Sequence, residues 1–281
     1  MERMGIHVVP NHFYEPVPDT RDIPEGFWER PSELIGIDLD EAAQLALLDE
    51  FRRKYKAEYD QFSDPQSAPA GFSLPNRSFS SVDAEILYCM IRHFKPSAIM
   101  EIGSGNSTLL SADAILKNSR ETGGVASLVA IEPHPNEILE RGFPGLTKVI
   151  KAPVQSVPLK EFEMLRENDI LFIDSSHVLK TASDVQYEYL EIVPRLKKGV
   201  IVHFHDIFLP FSYPKSWVVN ELRFWNEQYV LQALLAFNKS FRILWAGNYM
   251  NHKHPNALQQ AFGSYSPQAS APGSFWIRRV S

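Results

Sequence analysis

Three short stretches concentrate side chains that can do chemistry. The first is Glu101-Ile102-Gly103-Ser104-Gly105-Asn106-Ser107-Thr108, a carboxylate two residues before a glycine pair. Glycines let a ligand approach the backbone closely. A carboxylate there repels a pyrophosphate and attracts a sulfonium or ammonium group. The second is Glu132-Pro133, a carboxylate at the end of an apolar run, placed to meet a ribose diol as in dinucleotide enzymes. The third is a pair of run ends, DILFIDSSHV and VIVHFHDIF. They supply Asp174, Ser175, Ser176 and His177, then His203, His205 and Asp206. Carboxylate and imidazole together suit a divalent ion, Mg²⁺ or a transition metal. An imidazole with an ordinary pKa near about 6.5 can also take a proton from a hydroxyl.

These stretches need strands that end at one level. From Pro96 onward, short apolar runs alternate with helical patterns. The expected strands are 98–102, 127–132, 147–151, 169–174 and 199–204, with later strands at 241–246 and 274–280. The expected helices between them cover 106–117, 135–141, 159–166, 181–193 and 217–237. Strand–helix alternation of this kind means right-handed crossovers and a parallel sheet. Ligands then bind beyond the carboxyl ends of the strands, beside the first one. While the fifth strand stays extended, His203 and His205 share one side and Phe204 and Asp206 the other. A bend at its end would bring His205 and Asp206 together. His203 is expected to be structural.

Upstream, residues 40–59 and 81–94 read as helices, the first capped by Asp38 or Asp40 and the second opened by Ser80 with Asp83. Residues 60–75 read as a linker. The loop 76–79 precedes the second helix and is placed either to close over a cofactor or to cap itself. Residues 1–37 carry five prolines and several aromatics, which argues for a segment draped over the domain. The expected division is an extension over 1–78 and a catalytic domain over 79–281. Residues 247–272 read as a long loop. Tyr213, Trp217 and Trp225 are candidates for an acceptor pocket, with Trp225 favoured as core. His252, Lys253 and His254 are expected to be solvated.

The chain has 281 residues, 28 basic and 34 acidic, for a net charge of −6. The acidic excess lies in residues 1–60, read as a solvated face. No basic stripe interleaved with aromatics appears, so nucleic acid is not an expected partner. No apolar run is long enough for a membrane span, and no apolar leader opens the chain. The single cysteine, Cys89, excludes internal disulfides and a cysteine zinc cluster. A cytoplasmic setting is expected.

The pattern E-x-G-x-G-x-S/T after a strand, with Glu132 ending the next, resembles the class I S-adenosylmethionine-dependent methyltransferases over about 79–280. The run ends at Asp174 and His205-Asp206 resemble the metal-dependent O-methyltransferase branch that includes macrocin O-methyltransferase and cephalosporin-hydroxylase-like proteins. The resemblance implies an α/β Rossmann-like fold, a seven-stranded mostly parallel sheet with an antiparallel last strand. It implies S-adenosyl-L-methionine at Glu101, Gly103, Ser104, Gly105, Ser107, Glu132, Pro133, Gln155 and Asp174, with Ala152 to Gln155 near adenine. It implies a divalent metal at Asp174, His205 and Asp206, where histidine replaces one member of the family's acidic pair. His177 is the implied base, with Asp174 beside it, and Tyr213 and His177 face the substrate.

The expected reaction is methyl transfer to a hydroxyl of a small-molecule or sugar acceptor, and the extension would suit a homodimer contact. A dinucleotide oxidoreductase is disfavoured, because Thr108 stands where a third glycine belongs and Glu101 has no use. A metal-dependent hydrolase would use Asp174, His177, His205 and Asp206 without the glycine loop. A non-catalytic protein would bind S-adenosylmethionine without turnover.

Overall fold

A computed structural model of the chain describes residue 4 and residues 7–63, 72–74, 76 and 78–281. Seven strands form one sheet: β1 (Ala98–Ile102), β2 (Ser127–Ile131), β3 (Lys148–Ile150), β4 (Ile170–Ile173), β5 (Ile201–Phe204), β6 (Phe241–Ala246) and β7 (Phe275–Arg279). Their order is β3-β2-β1-β4-β5-β7-β6. β1 to β5 pair in parallel, and β7 runs antiparallel to both β5 and β6. The expected sheet is therefore present, antiparallel last strand included. Every residue of β4 and β5 is buried, as both faces of a parallel sheet must be.

Side-chain alternation feeds two cores. Ile99 and Phe172 point into one, with residues from α1 (Glu41–Tyr59), α2 (Asp83–Phe94) and α3 (Asn106–Thr122). Met100, Leu171 and Val202 point into the other, with residues from α5 (Leu159–Phe162), α6 (Asp184–Tyr187) and α7 (Glu227–Leu235). The short α4 (Glu137–Arg141) follows β2 and is capped by Asn136. Arg92 of α2, itself buried, bonds Glu58 of α1 at 3.0 Å and Asn118 and Glu121 of α3, tying three helices together.

The register decides where the chemistry sits. Ile102 lies level with Ile131 and with Ile173, and Ile173 with Phe204. Gly103, Glu132, Asp174 and His205 therefore leave four neighbouring strands on one row. Strand order reverses at β1, so this row flanks the switch point where open α/β sheets bind ligands.

Several local expectations need correction. Residues 247–261 are not loop but two helices, α8 (Gly247–Lys253) and α9 (Pro255–Ala261); Met250 and Leu258 bury into the first core. The expected helix over 217–237 is broken. A π-helical turn covers Ser216–Asn220, Leu222 takes a left-handed φ of 56°, and α7 starts only at Glu227. The helix over 181–193 starts later, at Asp184, and continues as a π-helical turn, Glu188–Ile192. Asp40 caps α1, accepting from Ala43 N, but Asp83 caps nothing. Its two oxygens accept instead from Gly273 N at 2.8 Å and Ser274 N at 3.0 Å. Of the expected linker, residues 60–63 form a turn and Phe72 and Leu74 are buried, while 64–71 and 75 lie outside the described residues.

Candidate functional site

β1 delivers the glycine loop. Gly103 has a φ of +76°, and a Cβ there would stand 1.8 Å from the carbonyl oxygen of Asp174. Only glycine lets the exits of β1 and β4 run this close. A Cβ on Gly105 would meet nothing within 4 Å, so the space over the loop is open. Thr108 serves the helix rather than a ligand, because its Oγ1 accepts from Gly105 N at 3.0 Å and caps α3. That accounts for the missing third glycine of a dinucleotide loop.

A cleft of about 430 Å³ opens on this row. Gly103, Glu132, Pro133, Gln155 and Asp174 line it, all expected at a cofactor. The Glu132 carboxylate accepts from His134 N at 2.8 Å and Ser104 N at 3.3 Å, which orients it at the cleft wall. Ser104 and Gly105 are half-buried in the loop alongside. Glu101 and Ser107 lie behind the loop, both buried. Ser107 Oγ donates to Glu101 Oε1 at 2.5 Å, and Glu101 Oε2 is buried without a partner among the described residues. Burial, aided by the charges of Asp174 and Glu132, pushes the Glu101 carboxyl up to about 8.

β4 and β5 deliver the second group. Asp206 takes a left-handed φ of 56° just beyond β5, which supplies the expected bend. Asp174, His177 and Asp206 then place one ligand atom each within 4.8 Å of one another. His177 Nε2 lies 3.4 Å from Asp174 Oδ1 and 3.6 Å from Asp206 Oδ2. His205 Nε2 is 3.9 Å from Asp206 Oδ1, and its ring packs on Phe79 at 5.1 Å between centroids. The close trio thus contains His177 rather than His205. His203 is buried and stacks on Phe172 at 4.0 Å, a core residue as expected.

One residue of this group escaped the sequence reading. Glu227 Oε2 contacts His177 Nδ1 at 2.8 Å, and Tyr189 OH donates to Glu227 Oε1 at 3.0 Å. The main-chain amides of Asn226 and Glu227 both donate to the His177 carbonyl, and His177 itself has a φ of 60°. Fifty residues separate Glu227 from His177, so no local spacing signals the pair.

Electrostatics follow from the layout. Burial opposes charge on His177, but Asp174 and Glu227 outweigh it and raise its pKa well above 6.5. Burial raises the Asp174 carboxyl, but His205 and His177 outweigh it and hold it below its usual range. Burial keeps the Asp206 carboxyl above its usual range despite both imidazoles. The carboxylate oxygens of Asp174 and Asp206 are hard donors of the kind Mg²⁺ or Mn²⁺ takes.

Trp225 is partly buried and packs against a small cluster of Phe208, Tyr213 and Val218, as a core residue would, but its ring also sits 4.3 Å from the His177 ring, because the broken helix carries it back over the site. Tyr213 is buried, accepts from Gln228 N at 3.1 Å and meets Trp225 edge-on. Asn76 and Ser78 bond Asn106 at the start of α3, which ties the 76–79 loop beside the glycines; Arg77 lies outside the described residues. His252 and Lys253 are exposed, as expected.

A family model described as a methyltransferase domain matches residues 100–207. An uncharacterized protein of Archaeoglobus fulgidus is 34% identical over 169 residues, 57% of this chain and 75% of that one. Among solved structures, the SAH-bound methyltransferase PaMTH1 of Podospora anserina aligns with a TM-score of 0.44 at 19% identity, over 84% of this chain and 88% of that one. An O-methyltransferase of Bacillus cereus in complex with SAH aligns at 0.40 and 15% identity, over 84% and 91%. With the matched segment running from β1 through the Asp206 bend, and with a relative this similar over most of its length, the chain belongs to the methyltransferase-domain family.

Proposed function

We propose that the protein transfers a methyl group from S-adenosylmethionine to a hydroxyl oxygen of a small molecule, with help from a divalent cation. The observation that carries this reading is the double position of Asp174. It lines the cleft beside Gly103 and Glu132, and it also belongs to the trio with His177 and Asp206.

The residues fit both groups. Glu132, fixed at the cleft wall by two amides, keeps acceptor capacity for a ribose diol. Glu101 Oε2, buried and unpartnered behind the glycine loop, is placed to meet the cofactor's cationic end, whose charge would favour ionisation of the raised carboxyl. Asp174 and Asp206 offer carboxylate oxygens to a cation, with His205 of the expected set beside Asp206. S-adenosylmethionine brings an electrophilic methyl on a sulfonium, and a bound cation makes a hydroxyl easier to deprotonate. In the transfer a C–S bond breaks, a C–O bond forms, the sulfonium becomes a thioether and the hydroxyl loses its proton. His177 in its neutral form receives that proton at Nε2, since Glu227 occupies Nδ1; with its pKa raised, that form is reached above the ordinary imidazole range. Asp174 and Trp225 hold the imidazole in place. Beyond this, the chain aligns the reactants in a site cleared of water. The same reading puts the enzyme in the cytoplasm, with the acidic extension available for a homodimer contact.

Calorimetric titration with S-adenosylmethionine and Mn²⁺, followed by turnover assays, tests the assignment. Cofactor affinity should fall at least about tenfold in Glu132→Ala. Mn²⁺ affinity should fall in Asp206→Ala and persist in His177→Ala, whose turnover should drop by about 10²-fold or more. Loss of Mn²⁺ binding in His177→Ala would make His177 a ligand instead of the base. Metal binding without any cofactor binding would move the hydrolase reading to the front.

A further inference from the structure

We infer that the N-terminal segment and the chain after β5 together form the acceptor site, and that its ligand is a planar aromatic alcohol. This inference rests on the methyltransferase reading.

A second cleft, of about 530 Å³, lies between residues 16–28 and 212–229. That volume suits a small organic molecule. Its walls carry Phe27, Trp28, Tyr213, Phe224, Trp225 and Tyr229. The rings stand at steep angles to one another: Trp28 against Phe27 at 82°, and Tyr213 against both Trp225 and Tyr229 at 85°. Faces and edges are thus both presented to an occupant, the arrangement that aromatic ligands exploit. Trp225 is the wall this cleft shares with the reaction centre, because the same ring lies 4.3 Å from His177.

The polar lining groups argue for an aromatic over a sugar. A sugar needs several directed hydrogen bonds. Here, apart from the Asp22 carboxylate, those groups are already engaged. Ser212 and Tyr229 bond each other at 2.8 Å. Asn226 bonds Leu179 N through Oδ1 and Leu179 O through Nδ2. Arg223 pairs with Glu221 at 2.7 Å and lies over Trp217 and Trp225. Asp19 is held by Arg21. What remains on offer is mainly ring surface.

The test is calorimetric titration of the full-length protein, with S-adenosylhomocysteine and Mg²⁺ present, using three probes. 2-Naphthol is planar, decahydro-2-naphthol has the same skeleton and hydroxyl without planarity, and glucose supplies hydroxyls without an aromatic ring. 2-Naphthol should bind at least tenfold more tightly than decahydro-2-naphthol, and glucose should not bind. Trp28→Ala and Phe27→Ala should each weaken 2-naphthol binding at least fivefold and leave S-adenosylhomocysteine affinity unchanged. Phe27 is 42% exposed, so its variant is expected to keep the fold. Normal S-adenosylhomocysteine binding with no preference for 2-naphthol, or with both variants at wild-type affinity, would overturn the acceptor inference alone. Absence of S-adenosylhomocysteine binding would overturn the methyltransferase reading, and the inference with it.

Discussion

A carboxylate accepts hydrogen bonds and donates none, so the 2.8 Å contact from Glu227 Oε2 puts a proton on His177 Nδ1. Nε2 is then the nitrogen turned toward Asp174 and Asp206. Glu227→Gln keeps the shape and removes the charge. It should lower kcat by about 10- to 100-fold, as loss of an orienting partner typically does, with the KM for S-adenosylmethionine nearly unchanged. An unaltered kcat in steady-state assays would remove Glu227 from the site. Glu101 has a consequence for stability. Its carboxyl is pushed from an ordinary 4.5 up to about 8 by burial. A raised carboxyl gives its full stability below the unfolded value, and that contribution is lost as pH rises through the folded one. The wild-type protein should therefore weaken between about pH 4.5 and pH 8. Glu101→Gln escapes this loss, on the order of 3–5 kcal/mol at 1.36 kcal/mol per pKa unit. Melting curves at pH 5.5 and pH 9 should show a gain for the variant at pH 9 that shrinks at pH 5.5. An equal difference at both pH values would contradict the assignment. Asp174, His177 and the His205-Asp206 pair were legible in the sequence because each lies at or just past a strand end. Glu227 was not, because only tertiary packing makes it a neighbour.

At the scale of elements, the start of α2 shapes the metal side of the site from a distance. Asp83 accepts from Gly273 N and Ser274 N, and Gly273 O accepts from Ile207 N at 2.8 Å. A Cβ on Gly273 would lie 2.9 Å from Asp206 Cα, so the backbone before β7 is the wall that Asp206 leans on. Asp83→Ala removes two buried hydrogen bonds and should cost about 2–3 kcal/mol of stability. It should also weaken Mn²⁺ binding about tenfold, while S-adenosylhomocysteine affinity stays put and Asp83→Asn recovers part of the loss. Equal Mn²⁺ affinity in calorimetry for wild type and Asp83→Ala would show that the wall positions nothing. The capping pattern of Ser80 with Asp83 suggested a helix start, and the helix is there. The side chain had a stronger use, two orphan amides of a β7 loop that no local pattern reveals. β1, β4 and β5 were legible because burial on both faces leaves short, mainly apolar runs, and the exposed edge strand β3 from its place in the strand–helix alternation. Helices α8 and α9 were not. They are short, largely polar and split by Pro255, and each is held mainly by a few buried side chains such as Met250 and Leu258.

Across the whole molecule, the sheet register sets four candidate site residues, Gly103, Glu132, Asp174 and His205, on one row. The Pro- and aromatic-rich segment lies on the body only in part, with Phe13 and Tyr14 82% and 83% exposed. What composition could not separate is its two roles. Residues 32–39 are anchored: Ser32 N donates to Pro210 O at 2.7 Å, Phe237 N to Gly36 O at 2.8 Å, and Gln232 Nε2 to Ser32 Oγ at 2.9 Å. Leu34 is buried in the second core with Ile37 and Leu39 packed against it. Residues 16–28, by contrast, meet the body mainly through the aromatic cleft and an exposed ion pair between Glu25 and Lys215. Surface pairs of that kind contribute about 0–1 kcal/mol. Stability and function should therefore come apart along the extension. Leu34→Ala removes a buried side chain and should cost about 2–4 kcal/mol. For a chain of this size that lowers Tm by roughly 4–12 °C, with 2-naphthol affinity intact in the folded protein. Phe27→Ala should leave Tm within about 1–2 °C of wild type and weaken 2-naphthol instead. Melting and calorimetric curves on the two variants decide between a single structural strap and a segment divided into anchor and wall. Parallel losses of Tm and affinity in both would mean that the extension acts as one unit.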